Sequence, residues 1–499
     1  MRADGGRGFG RSVDRRGCGA ALVACALALV AGGCAVDQKA EVAKYRSILD
    51  ADSGGPVERP AAGEPLTLVH ALRLANQDNE RLAIAGEDFV QAWAEKDRAF
   101  AGFLPTLSFG PSYNVVDASD APRQTTTDSN GQARPVGASG GFKQVGQTLR
   151  RFEAPVNLSA NLFRGFGDLA SFEAAVQSIE LRRQLLLDAR STLLLQVADT
   201  YYQVLRFERT VAVLRQSLQA QTERVRDART RLDAGIGSTL EMAQSQAQEA
   251  STRARLVLAQ GSVTSARTLL AFLIGTSGTI TGPLRDDYDI PADVGPVEAL
   301  VQLGWDRRED LRAAVAAVTA ARANVNAAVA EYYPSVTLNI NGFLVRENFE
   351  TASKWNALLQ VNLPLFTGGL IEADVRRAWS VLRQRAMEES LLRRQIEQEI
   401  RTRYEDLRTS RASLAEFQAQ IRAASEAFRQ SRAGLAAGTA ITLDVLTAQD
   451  VLLQAQLEEA NEEFLGKFRY LDLLRATGGL TLNEVRRATS RPTPRPATP

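Results

Sequence analysis

Two apolar series with the same seven-residue spacing, lying 203 positions apart, constrain this chain more than any other feature. Val197, Val204, Val211, Leu218, Val225 and Leu232 form the first; Ile400, Leu407, Leu414, Ile421, Phe428 and Leu435 form the second. A stripe that recurs every 3.5 residues stays on one side of a helix only if helices supercoil about each other, so each series implies coiled-coil-like packing. No proline interrupts residues 165–234 or 368–437. At 1.5 Å per residue such a helix runs to roughly 100 Å. These are arms of a rod or walls of a conduit, and the stretch alone fits either.

The rest of the chain repeats around them. A helix is predicted from Thr67 to Phe103, with Leu68, Ala71, Leu72, Ala75, Leu82 and Phe89 at helical spacing. After Pro105 the period changes to two: Leu107, Phe109, Tyr113 and Val115 alternate with small polar residues, and Phe152, Ala154, Val156, Leu158, Ala160 and Leu162 do so again. That alternation predicts strands with one apolar face. A polar loop joins them, and Phe163-Arg164-Gly165 leads into the first long helix. The helix turns at Ala234-Gly235-Ile236-Gly237 and returns to about Ile274.

The second copy has the same order. A helix from Val297 to Glu331 precedes Pro334, and strands follow with Val336, Leu338, Ile340 and Leu344, then Trp355, Ala357, Leu359, Val361 and Leu363. The long helix from Gly368 turns at Ala437-Gly438-Thr439 and returns to Ala476. The Pro-to-Phe spacing is 58 residues in the first copy and 32 in the second, which places 26 extra residues in the first hairpin loop. The expected divisions are therefore 1–33, an export signal; 34–64, a mostly extended tether; 65–275, the first repeat; 276–296, a linker; 297–478, the second repeat; and 479–499, a disordered Pro-rich tail.

At the N-terminus Arg11, Arg15 and Arg16 precede an apolar run from Ala20 to Val30, too short to span a bilayer. It ends in Ala31-Gly32-Gly33-Cys34, which resembles a bacterial lipoprotein signal with Cys34 as the lipidated residue; Cys25 and ordinary cleavage are the alternatives. Composition narrows the chemistry. All three cysteines lie within the first 34 residues and His70 is the only histidine, which leaves no Ser-His or Cys-His constellation and no His-based metal cluster. With 59 basic and 58 acidic residues, nothing points to nucleic acid. The expectation is a protein that is not an enzyme and needs no cofactor.

Strands of about ten residues with one apolar face suit a tilted bilayer crossing, although a soluble sandwich would alternate too. Four strands cannot close alone, so a membrane reading needs copies from other chains. From Leu66 to Gly478 the chain resembles the TolC family of outer-membrane efflux proteins. Leu66-Thr67-Leu68 with Ala71-Leu72 and Asn79, the Pro-led strands, and Gly438 to Leu443 followed by Asp444-Val445-Leu446 and Gln449 carry the likeness. Gly235 to Leu240, Glu241, Met242 and Gln246 give the first copy of that turn.

The resemblance implies a mainly α fold with a membrane β part: a homotrimer whose twelve-stranded barrel in outer-membrane lipid continues as a helical tunnel into the periplasm. It further implies a passive exit duct for a tripartite efflux or type I secretion system, meeting a periplasmic adaptor and an inner-membrane pump. A pore-free periplasmic coiled-coil adaptor or scaffold is the competing function. By the same resemblance the tips Gly235, Gly237, Gly438 and Thr439 dock the adaptor, and Asp444 with Glu241 forms a charge-selective ring at the periplasmic gate. Two bland readings compete: a turn that only reverses the chain, and acids placed where a helix N-terminus favours them. Thr447 stands where relatives carry a second acid, and Ala440 where some carry a basic latch. His70, Tyr201 and Tyr404 read as ordinary helix and packing residues.

Overall fold

The computed structural model describes residues 36–116 without 52, 54, 56 and 60–62, then 125–127, 133–135, 149–347 without 292, and 353–489. The export signal, Cys34 and the chain beyond residue 489 lie outside these residues.

Each repeat opens with a broken helix. In the first, α1 (Gln38–Asp50) and the short strand β1 (Leu66–Thr67) precede α2 (Leu68–Asp78) and α3 (Glu80–Ala101). The apolar spacing predicts one helix here, but Asn79 is extended at φ −79°, ψ 124° and caps α3 by accepting from the Arg81 amide. Its amide group also donates to the Leu273 carbonyl at 2.8 Å, at the end of the return helix. The second repeat has the same break. There Arg308 separates residues 297–307 from 309–330 and donates to the Ala476 carbonyl at 3.2 Å, again at the end of a return helix. Helix C-termini leave carbonyls unpaired, and the break residue of each repeat supplies a donor. Arg308 is also held by Asp310 at 2.7 Å and Glu399 at 2.5 Å.

The first repeat continues with β2 (Thr106–Phe109), β3 (Ser112–Val116), the small hairpin β4 (Thr125–Thr127) and β5 (Ala133–Pro135), β6 (Leu149–Arg164), the long helix α4 (Gly167–Asp233) and its return α5 (Thr239–Leu273). After β7 (Leu284–Arg285) the second runs α6 (Val297–Arg307), α7 (Glu309–Ala330), β8 (Ser335–Glu347), β9 (Trp355–Asn362), α8 (Leu370–Ala436) and α9 (Thr442–Ala476), followed by α10 (Leu482–Thr489). The two long helices have 67 residues each and the two return helices 35 each. Gly167 and Leu370, like Leu273 and Ala476, are 203 apart; Leu68 and Val297, before the sheet, are 229 apart. The difference of 26 lies between them, in the first hairpin loop.

Five of the strands form one antiparallel sheet in the order β2/β3, β6, β8, β9, where β2 and β3 are two pieces of one edge broken at Gly110-Pro111. Register sorts the side chains into rows. Leu107, Leu158, Ile340 and Ala357 are aligned across the sheet, as are Phe109, Val156, Gly342 and Trp355. Ser108, Asn157, Asn341 and Asn356 form a row on the other face, where Asn341 donates to Asn356 at 2.9 Å. The apolar face is open: Leu107, Phe109, Trp355, Leu359 and Val361 are all more than half exposed. Both outer strands, β2/β3 and β9, have one unpaired edge among the described residues.

Beside the sheet, α3, α4, α7 and α8 pack in sequence; farther away the order is α5, α4, α9, α8. The main core lies where α2, α4, α5 and α9 meet, around Leu72, Leu194, Val197, Tyr201 and Leu270. A second cluster joins Val301, Leu311, Ile396, Ile400 and Leu407.

Two segments differ from expectation. Instead of a mostly extended tether over 34–64, residues 38–50 form α1, capped by Asp37 and docked through Tyr45 and Leu49. The glycines and prolines of that stretch all lie after residue 53, so they say nothing about 38–50. Instead of disorder throughout 479–499, α10 buries Leu482 and Val485, one turn apart, against the main core. Thr481 caps it by accepting from the Glu484 amide.

Candidate functional site at the hairpin tips

The tips are built by the same backbone device twice. After α4 ends, Gly235 takes φ 75°, and the Ile236 amide donates to the Arg231 carbonyl at 3.0 Å. After α8, Gly438 takes φ 76°, and the Thr439 amide donates to the Gly434 carbonyl at 2.8 Å. This left-handed stop satisfies orphan carbonyls and suits glycine. Gly237 is required for another reason: a Cβ there would lie 2.6 Å from the Leu232 nitrogen. Apolar side chains surround both turns in the open, with Ile236 79%, Leu240 65% and Ile441 62% exposed. Turn chemistry points to the glycines and not to these apolar neighbours, whose only signal in the sequence is their position beside the turns.

Glu241 and Asp444 occupy the third position of α5 and α9 and are 203 residues apart, yet they do different work. Asp444 is exposed and turned onto its own helix start, accepting from the Ile441 amide at 3.0 Å while its own amide donates to the Ile441 carbonyl at 3.1 Å. Glu241 reaches across: Thr442 of the other hairpin donates to it at 2.8 Å, and Arg231 stands at 4.0 Å. Farther along, Gln248 donates to Asp450, again between hairpins. Sequence reasoning misses Thr442, Gln248 and Asp450, because a bond between neighbouring helices leaves no local pattern. Thr447 donates back to the Leu443 carbonyl at 2.9 Å, as an ordinary helix threonine does.

The remaining candidates are structural. The Tyr201 hydroxyl lies 2.8 Å from the Leu66 carbonyl and 2.7 Å from that of Arg285, beneath the parallel pair β1–β7, and burial pushes the phenol well above its ordinary range. Tyr404, its counterpart, packs on the second cluster. The His70 ring contacts the Glu58 carbonyl at 2.9 Å. Cys34 lies outside the described residues.

Outer membrane efflux protein BepC of Brucella suis is 26% identical over 376 residues, covering 74% of this chain and 80% of that one. Proteases secretion protein PrtF of Dickeya chrysanthemi is 24% identical over 440 residues, covering 85% and 90%. The crystal structure of the outer membrane protein VceC from Vibrio cholerae has the same fold, with TM-score 0.69 at 20% identity over 83% of this chain and 96% of that one. The family model described as outer membrane efflux protein matches residues 72–276 and 300–479, nearly the whole of both repeats, and the chain therefore belongs to the outer membrane efflux protein family.

Proposed function

We propose that this chain is a passive exit duct of the outer membrane, serving an efflux or type I secretion system, and that three copies build it. The observation that carries the reading is the open sheet. One face is apolar and exposed, the other is lined by Asn, Ser and Thr, and both edges are unpaired among the described residues. Hydrocarbon leaves no water for an unpaired strand edge, so in a membrane each edge must meet another copy. Three copies of four strand positions make a barrel of twelve, with the Asn and Ser rows toward a wet lumen. The paired helices continue its wall through the periplasm over roughly 100 Å.

In this assembly the tips at Gly235, Gly237, Gly438 and Thr439 meet a periplasmic adaptor, whose inner-membrane pump supplies the energy. Asp444, exposed beside the tip, gives three carboxylates around one axis and favours cations there. Glu241 ties the hairpins together behind it. No step is catalytic and no cofactor is needed. Residues 65–275 and 297–478 act as the two repeats and 276–296 as their linker. Cys34 carries the lipid anchor. The docking of α1 supports that role: Tyr45 faces Gly86 and Lys44 lies 5.5 Å from the Trp93 ring, so α1 runs antiparallel to α3 with its start toward the sheet. Only two residues separate Cys34 from the Asp37 cap.

The test is the native mass of protein extracted from outer membranes, by light scattering with the detergent contribution subtracted, followed by bilayer conductance. Three chains per particle and discrete channel openings are expected. A soluble monomer or dimer obtained without detergent overturns the duct.

A further inference from the structure

The two hairpins match residue for residue in length, yet their interiors differ at one level. On α4 the buried positions Leu186, Leu193, Leu214 and Ala228 keep a seven-residue register, and Gln221 falls in it, fully buried, with neither end of its amide hydrogen-bonded among the described residues. Ser217 and Arg224, four residues before and three after, share that face and also hold buried polar atoms without a partner. On α5 the facing seam carries Ser245 and Thr252, buried to 0% and 1% exposure, and the Ser245 hydroxyl is unpartnered. On α9 the Gln449 carbonyl oxygen is unpartnered as well.

Cross-helix contacts put these groups at one height. Thr222 to Glu249 and Arg231 to Glu241 set α4 against α5; Glu241 to Thr442 and Gln248 to Asp450 set α5 against α9. Gln221 and Gln449 therefore both lie level with the stretch between Ser245 and Thr252. On the sheet side the same helices meet through Leu214, Leu256 and Leu453, an ordinary apolar contact.

In the second hairpin the residues 203 positions later are Ala424 for Gln221, Ala427 for Arg224, Ala448 for Ser245 and Ala455 for Thr252. Four polar side chains are thus matched by four alanines, of which Ala424 and Ala455 are buried, Ala448 is half-buried and Ala427 is exposed, while Ser217 is matched by Gln420. Alanines let helices pack close and dry, whereas buried groups without partners are costly until water reaches them.

We infer that this polar layer is a water-admitting seam along which the first hairpin opens, while the second hairpin, which buries Ala424 and Ala455 at that level, moves as one unit. Opening hydrates Gln221 and Ser245 and removes the cost of burying them unpaired; at this level the second hairpin has one such group among the described residues, Gln449, so the open arrangement is populated mainly in the first hairpin. Its use in widening a periplasmic mouth rests on the duct reading; the seam itself does not.

Amide hydrogen exchange on the full chain in detergent tests it. Peptides spanning 214–256 are expected to exchange at least ~10-fold faster than those spanning 417–459, because local opening sets the rate. The alanine transplant, Gln221→Ala with Arg224→Ala, Ser245→Ala and Thr252→Ala, is expected to slow the first hairpin to the rate of the second without lowering Tm. Equal protection of the two hairpins in the natural chain overturns the inference, as does faster exchange or a lower Tm in the transplant. If the transplant fails to fold, the natural-chain comparison and Gln221→Ala alone decide on the same criteria.

Discussion

The Thr442 hydroxyl donates to the Glu241 carboxylate at 2.8 Å, and this bond joins the two hairpins one turn behind their tips. Asp444, the sequence counterpart of Glu241, makes no such crossing and caps its own helix.

The two acids should therefore respond differently to substitution. Glu241→Ala removes the crossing and is expected to raise the open probability of single channels. Asp444→Asn keeps an acceptor for the Ile441 amide but removes the charge, so it should reduce cation preference in bilayer recordings with little change in stability. Asp444→Ala loses the cap as well and should cost about 1 kcal/mol. Unchanged ion selectivity in Asp444→Asn would reduce this residue to a capping group.

Gly235 and Gly237 separate two kinds of glycine requirement. Around Gly235 there is open space, so Gly235→Ala meets only the left-handed backbone cost of about 1–2 kcal/mol. Gly237→Ala drives a methyl into the Leu232 backbone at 2.6 Å, and the turn must rebuild. Thermal melts should show a modest loss for the first and a larger one for the second, with protease cleavage appearing at the tip only in Gly237→Ala.

Much of this architecture is legible in the amino acids themselves. The heptad series mark the long helices, the glycines bounding the proline-free stretches place their ends to within two residues, and strict alternation locates the strands and their apolar face. Both are periodic signals carried by many residues, and so survive single exceptions. The breaks at Asn79 and Arg308 are not legible, because each rests on one side chain reaching a helix end more than 160 residues away. Helix α1 is hidden by the glycines and prolines that follow it. At the tips, the glycines and acids stand out, whereas the partners of Glu241 and the unpaired state of Gln221 depend on how separate helices are staggered.

Asp188 offers a pH test of the contact between repeats. It lies 3.4 Å from Arg475, which also holds Glu399 at 3.2 Å. Burial raises the Asp188 pKa, and Arg475 opposes that only in part. A carboxyl raised in the folded state binds its proton more tightly there than when unfolded, so its contribution is present at low pH and is lost as pH rises through the folded pKa. Asp188→Asn should thus melt higher than the natural chain at pH 8, and the gap should close as pH falls toward 4. Asp188→Asn melting lower than the natural chain at pH 8, with the deficit closing as pH falls, would show that the Arg475 pairing dominates.

Gly86 tests the docking of α1. A Cβ at this position would lie 2.4–2.7 Å from the Tyr45 ring, a rigid neighbour that cannot bend away. Gly86→Ala is expected to cost about 1–3 kcal/mol by overpacking and to expose residues 38–50 to limited proteolysis. Tyr45→Ala should release the same segment without that clash, and the double variant should cost no more than Tyr45→Ala alone.

The equal lengths of the two hairpins restrict how this chain can change over generations. Losing a single residue from a helix rotates everything beyond it by about 100° and shortens the arm by 1.5 Å. One 67-residue helix cannot shrink on its own without turning its buried stripe outward and leaving its tip short of the other. Viable changes of length come in whole heptads, taken from all four helices together. The loop between β2/β3 and β6 is under no such coupling, and it is there that 26 residues were accommodated on one side only. The pair of hairpins behaves as a gauge of fixed span, and variation in the family should accumulate at the opposite end of the molecule.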